Sequence, residues 1–338
     1  MTNKPVYKLC IWVNENKLFA NQLNRNPHSI DYLKKNIKFI RWKDLSSNEN
    51  AIELLEENPK NIDWELIFTN KNAIILLKKY ILEKNIVLNT SQWNYLCTNS
   101  NCIEIFNMPE LKKKEYCKNY FLLSKNPDAV SLLYENYSKI EWDYLSANPN
   151  AIELLKNNIS KIVWSQLSKN PNLEAIELLK SNISKINWWS LNNNPNGHMI
   201  LKDYQNKIIW SLFCCYSKDL TLCYQNLDKV DWFYLSTRHE AIQIIEQHLD
   251  KVNWKALTWN KNAGHIIQNN LDKIEDHWYY LSKNPCIFTY DYEQMKMNMN
   301  NMGMAEELMT YIYHPNRVLH YMETYSYNLL EDCYNDSF

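Results

Sequence analysis

Glycine is nearly absent: 338 residues contain three, Gly197, Gly264 and Gly303. Phosphate-cradling loops, nucleophile elbows and turn-rich β folds each need several glycines at fixed places, and that supply is missing. Arginine is scarce too, found only at Arg25, Arg41, Arg238 and Arg317, while Asn, Lys and Ile abound. That bias matches AT-rich codons and strips meaning from lysine standing where arginine could. No charge dominates. The net charge is −1, which argues against a dedicated binder of nucleic acid or anionic membrane. No apolar run approaches the roughly 18 residues of a membrane span, and Met1 to Leu9 lacks a leader-like apolar core. The nine cysteines are odd in number, without a C-x-x-C pair, as expected of reduced, mostly buried thiols in a cytosolic protein.

What is present is a repeat. From Lys139 the chain reads K-I-E-W-D-Y-L-S-A-N-P-N-A-I-E-L-L-K-N-N-I-S, and from Lys161 K-I-V-W-S-Q-L-S-K-N-P-N-L-E-A-I-E-L-L-K-S-N-I-S. Twelve copies can be placed by one column: Ala20, Trp42, Trp64, Trp93, Tyr120, Trp142, Trp164, Trp188, Trp210, Trp232, Trp254 and Trp278. They are numbered here as copies 1 to 12. Most spacings are 22 residues, with longer units near 80–119. Such a period is the mark of an array rather than of separate globular domains.

Each copy encodes two short helices. W-x-x-L-S places Trp and Leu on one face of a single α or 3₁₀ turn. Asn-Pro then starts the second helix, with Asn as N-cap and Pro at the first helical position, where no donor is lost. Asn126-Pro127, Asn148-Pro149 and Asn170-Pro171 are clear cases. A-I-x-L-L supplies the apolar stripe. Helices of about ten residues are not stable alone, so neighbouring copies must cover them. The predicted fold is all-α: a tandem-repeat α-solenoid of about twelve helix pairs, a curved rod with a core of Trp, Leu and Ile. The expected organisation is an N-terminal cap over 1–17, the array over 18–290, and a linker with a C-terminal helical cap over 291–338. The cap would cover the core exposed by the last copy. Met295, Met297, Met299, Met302, Met304 and Met309 read as linker and gap-filling core.

The N-P-N-A-I-E-L-L unit with I-x-W-x-x-L-S, and the closing M-T-Y-I-Y-H-P-N-R-V-L-H-Y-M of Met309 to Met322, resemble the short Trp/Asn-Pro repeats of proteins from giant DNA viruses of amoebae and algae. The resemblance covers about residues 18–327. It implies an α-helical repeat protein made in the cytoplasm of an infected cell, in a virus factory or virion, and it carries no catalytic residue. Two copies depart from the pattern: Tyr216-Ser217 and Arg238-His239 replace Asn-Pro.

Nothing in the residues spells catalysis, a cofactor or a metal site. The histidines are scattered, and the carboxylates, such as Glu53, Glu153 and Glu177, fall on the solvent side of second helices. Cys214 and Cys215, being adjacent, read as apolar filling. Two features could mark a surface for a partner. Aromatic residues stand where other copies have polar ones: Phe121, Trp189, Phe233, Trp259 and Tyr279. Exposed aromatics are typical interface anchors. A lysine also recurs three residues before the column, at Lys139, Lys161, Lys185, Lys207, Lys229 and Lys251. It forms an edge that could meet a polyanion such as RNA, although lysines there also suit helix C-termini. Tyr95, Tyr144, Tyr234 and Tyr280, two residues after the column, read as half-buried packing. The expected function is a non-catalytic scaffold for a protein partner. A virion or virus-factory structural component and an RNA-binding adaptor are the alternatives, and no membrane association is expected.

Overall fold

The computed structural model describes residues 5–84, 88–101, 103–108, 118–301 and 303–325. The chain is mostly helical and divides into two compact units, Leu9–Phe288 and Met1–Lys8 with Thr289–Phe338. The first unit holds all twelve copies.

Copy 6 shows how the sequence builds a copy. The first helix is Trp142–Ser146, a 3₁₀ turn follows over Pro149–Ala151, the second helix is Ile152–Lys156, and a 3₁₀ turn over Ile159–Lys161 leads to the next Trp. Asn148 is extended (φ −77°, ψ 119°) and its Oδ1 accepts the Asn150 N–H at 3.0 Å. The cap thus acts as the Asn-Pro spacing predicts. The choice left open for the first helix, α or 3₁₀, falls to α. The first helix is α in these copies, with copy 3 (Leu66–Thr69) the 3₁₀ exception, and 3₁₀ turns instead open and follow the second helix. The opening turn forms with proline at its first position, as in Pro127–Ala129 and Pro149–Ala151, and without it, as in Lys71–Ala73 and His239–Ala241. The longer units of copies 3 and 4 contain the helices Ile74–Lys84 and Thr90–Thr98. Residues 109–117 of that stretch lie outside the described residues.

The third residue after the column is buried in every copy, from Leu23 to Leu281, and so is the Ala column, with Ala51, Ala151 and Ala263 fully inaccessible. Burying one such Leu is worth about 2 kcal/mol. The Trp column was expected in this core, yet apart from Trp278 its tryptophans are only half-buried.

Polar side chains hold copy to copy. The cap Asn turns its amide toward the preceding copy. Asn148 Nδ2 donates to Ser124 O and Asn126 O, both at 3.0 Å, and Asn170 does the same to Ser146 O (3.1 Å) and Asn148 O (2.9 Å). The Ser four residues after Trp makes a second ladder. Ser146 Oγ donates to Trp142 O at 2.7 Å and accepts the Val163 N–H of the next copy at 3.0 Å. A third ladder comes from the residue two places after the cap, as Asn172 Nδ2 donates to Pro149 O at 2.8 Å.

All three ladders continue from copy 12 into copy 1. Asn26 Nδ2 donates to Ser282 O (3.2 Å) and Asn284 O (2.8 Å), Ser282 Oγ accepts the Phe19 N–H (3.0 Å), and His28 bonds the backbone of Pro285. The register is that of the junction between copies 6 and 7, where all three ladders are present. The expected rod with free ends is therefore corrected: the face that a C-terminal cap was to cover is met by copy 1. Residues 9–17, read as part of an N-terminal cap, belong to the same unit as the repeats, and Lys17 pairs with Glu275 at 2.6 Å.

A two-stranded sheet pairs β1 (Tyr7–Leu9) with β2 (Phe288–Tyr290), and the other unit has helices at Tyr292–Asn301, Met304–Ile312 and Pro315–Tyr325. Met295, Met297 and Met299 lie on the first of these rather than in a linker. Gly303 joins the first two helices at φ 70°, a conformation that favours glycine.

Removing a rung orphans buried carbonyls at about 1–3 kcal/mol each. Asn148→Ala is expected to cost about 3 kcal/mol in denaturant unfolding, and Asn26→Ala as much, because the rung at the seam is bonded like that of Asn148. A cost below about 0.5 kcal/mol for Asn26→Ala alone would mean that the seam is open in solution.

Candidate functional site

The first helix fixes which side chains can meet a partner. Its third and fourth residues after the column are buried, so the first and fifth, a helical turn apart, face outward from the core, as does the second except where Ser190 and Ala256 are buried. Consecutive first helices pack directly against one another. Their surfaces touch by short aromatic contacts, such as Phe121–Tyr144 at 3.9 Å and Phe233–Trp259 at 5.9 Å between ring centroids. Second helices pack directly at some junctions, as Leu173–Lys180 does against His198–Leu201, and are bridged by long side chains in the pairs Lys34–Glu53, Lys156–Glu174 and Glu246–His265.

The five aromatic candidates do not form a single patch. Trp189 (57%), Phe121 (44%), Trp259 (44%) and Tyr279 (38%) are exposed, and Phe233 is half-buried. Phe233, Trp259 and Tyr279 are brought together. Trp259 meets Phe233 and Tyr280 edge to face, Tyr279 meets Tyr280 at 5.3 Å, and Phe19 meets Tyr279 at 5.3 Å. Trp189 stands apart beneath Lys169, and Phe121 pairs only with Tyr144 among these. The sequence reading missed Phe19, which precedes Ala20 and reaches Tyr279 only because copy 1 follows copy 12. Tyr280 was read as packing, yet it is the link between Trp259 and Tyr279.

A cavity of about 470 Å³ opens in this cluster, lined by Trp259, Tyr279, Tyr280, Lys283, Gln22, Asn284 and Pro285. Gln22 Nε2 donates to the Tyr279 hydroxyl at 2.6 Å, and Lys255 lies over the Tyr280 ring at 5.3 Å. The Asn284 amide is used by the ladder, to Thr258 O and Asn260 O.

The lysine edge has an occupation of its own. Lys139 lies over Tyr120 (5.2 Å), Lys161 over Trp142 (4.6 Å), Lys185 over Trp164 (4.3 Å), Lys207 over Trp188 (5.9 Å) and Lys251 over Trp232 (5.8 Å). Each reaches back one copy, and Lys17 does so over Trp278 at 5.8 Å. Lys229 instead donates to Asn226 Oδ1 at 3.1 Å. Cation and aromatic face attract, so this column binds the array together while leaving the ammonium groups mostly exposed.

The departures from Asn-Pro are filled differently. The Arg238 guanidinium takes the place of the amide, donating to Cys215 O (2.9 Å) and Ser217 O (2.7 Å). In copy 9 the Lys218 N–H reaches Pro195 O at 2.8 Å. Cys214 occupies the Ser place and accepts the Asp231 N–H. Its sulfur lies 3.9 Å from that of Cys223; their hydrogen bond draws the Cys214 thiol below its ordinary range and, with burial, pushes Cys223 up. Among the described residues no group of three His, Cys, Asp or Glu side chains converges as a metal site would require, and no helix is long and apolar enough to cross a membrane.

A lysine over a Trp face contributes about 0.5–1 kcal/mol. Lys185→Ala, at the shortest of these contacts, is expected to lower unfolding stability by that amount, whereas Lys229→Ala should stay within about 0.3 kcal/mol of the parent. Equal effects would deny the ring contact any energetic weight.

No family model matches this chain, and neither a curated protein nor a solved structure was found to be similar to it.

Proposed function

We propose that residues 9–288 form a closed α-solenoid, a toroid of twelve helix pairs, which acts as a non-catalytic scaffold for a protein partner. Three ladders that keep register across the seam support closure. In a closed circle the elements nearer the axis crowd together. The closer packing of first helices, against second helices bridged at several junctions by long ion pairs, supports a placement of the first helices inside. Twelve helices spaced about 8–10 Å apart give a circle of axes roughly 31–38 Å across. Subtracting one helix diameter of about 10–12 Å leaves an opening of about 20–28 Å.

The observation that carries the binding role is the arc of aromatic side chains, Phe233, Trp259, Tyr280, Tyr279 and Phe19, running over copies 10, 11, 12 and 1. Exposed aromatics on a rigid frame lose little conformational freedom on binding and often dominate interface energy. The lysine edge favours RNA less, since most of its lysines are applied to tryptophan and tyrosine faces. The resemblance to giant-virus repeats would set this scaffold in the cytoplasm of an infected cell.

Affinity capture of the tagged full chain from the cell that makes it, after nuclease treatment, tests the reading. The expected result is a protein partner retained by the parent and by Lys161→Ala, and lost with Trp259→Ala/Tyr279→Ala. Capture that needs nucleic acid, or that ignores the aromatic pair, would sink it. Co-purification with particles independent of that pair would favour a virion component.

A further inference from the structure

The chemistry of the partner can be narrowed, given the scaffold reading above. We propose that the cavity where copies 11, 12 and 1 meet is the docking site of an extended acidic peptide, with an apolar side chain seated among Trp259, Tyr279 and Tyr280 and carboxylates on Lys255 and Lys283.

The argument rests on how charge is distributed along the first helices. In copies 10, 11, 12 and 1 the positions one, two and five residues past the column are Phe233, Tyr234 and Thr237; Lys255, the buried Ala256 and Trp259; Tyr279, Tyr280 and Lys283; and Asn21, Gln22 and Arg25. Every charge there is positive. Elsewhere the same positions carry acids, at Asp44, Glu65 and Asp143. These acids are confined to copies 2, 3 and 6, so the aromatic arc lies within a longer acid-free run from copy 7 through copy 12 to copy 1. Lys283 lines the cavity, and Lys255 lies over the ring of Tyr280 that forms its wall. Arg25 is committed to Asp44, with Nη2–Oδ1 at 2.6 Å, which leaves the two lysines as the cations beside the aromatic wall. Gln22 presents a side-chain amide at the rim, suited to a peptide backbone.

The low number of cations favours a peptide over a nucleic-acid strand. Four copies span about 24–30 Å at 8–10 Å per junction. A single strand over that length would bring a phosphate with every nucleotide and would call for a more densely basic groove. The aromatic rings also meet edge to face, so each partly covers its neighbour instead of offering a row of open platforms. An extended peptide covers the same distance in about eight or nine residues.

The probes are fluorescein-labelled ten-residue peptides, each with Leu, Phe or Trp flanked by four glutamates, together with lysine-for-glutamate counterparts and a ten-nucleotide oligouridylate. Binding to the full chain is read by anisotropy at low and moderate salt. At least one acidic peptide is expected to bind at least tenfold more tightly than its lysine counterpart and than the oligonucleotide. It should weaken about tenfold with Lys255→Glu/Lys283→Glu and with Trp259→Ala, but not with Lys161→Ala. Parent-like thermal unfolding of each variant would tie the loss to the site. Equal or tighter binding of the basic peptides or the oligonucleotide, no binding by any acidic peptide, or losses no larger than that of Lys161→Ala would overturn the proposal. If cellular capture still depends on Trp259 and Tyr279 while these peptides fail, the scaffold reading stands and only the acidic chemistry falls.

Discussion

The array depends on one buried side-chain amide at most of its junctions. Helices of five or six residues, such as Trp142–Ser146 and Ile152–Lys156, are almost entirely ends. The first four N–H and last four C=O groups of any helix lack an internal partner. Here that covers most of the backbone, and a fold made of such helices would fail if those groups were buried without bonds. The cap Asn answers both halves of the problem. Its carbonyl oxygen takes an N–H of its own second helix, and its amide takes two carbonyls released at the end of the previous first helix. The side chain that starts one helix therefore finishes another, 22 residues earlier for Asn148 and Asn126.

Half of that device was legible in the sequence. Asn-Pro before an apolar stripe announces a cap, because capping is local. The reach of the amide into the preceding copy is not local, and no spacing reveals it. The tryptophans misled for a related reason. A recurring Trp suggests core, but an indole also offers a broad face to a cation, and Lys161 and Lys185 use it from one copy away. The apolar stripe of A-I-x-L-L, by contrast, was legible, and its Ala members are inaccessible. The proposed closure was hidden altogether. A repeat period states how long each copy is and leaves open the rotation between copies on which closure depends.

The candidate surface divides along the same line. Trp259, Phe233 and Tyr279 stood out as aromatic residues in polar columns, and they do converge. Trp189 carried the same signal and lies elsewhere, because a departure in one column says nothing about its neighbours on either side. Phe19 had no signal, being separated from Tyr279 by nearly the whole array and adjacent to it only across the seam. Arg238 was flagged as a lost cap. Its guanidinium nevertheless collects the carbonyls of Cys215 and Ser217, so the position keeps its bridging role while giving up the capping one.

The seam has a topological meaning. If the junction between copies 12 and 1 is bonded as the others are, nothing in the packing marks it as the place where the polypeptide must begin and end. Cys10 N–H bonds Ile287 O at 2.9 Å, which brings the two limits of the array side by side. The backbone could be joined there and cut between any other pair of copies, giving a family of circular permutants with the same set of junctions. What would distinguish them is the order in which neighbours emerge during synthesis, and so which rung is the last to form.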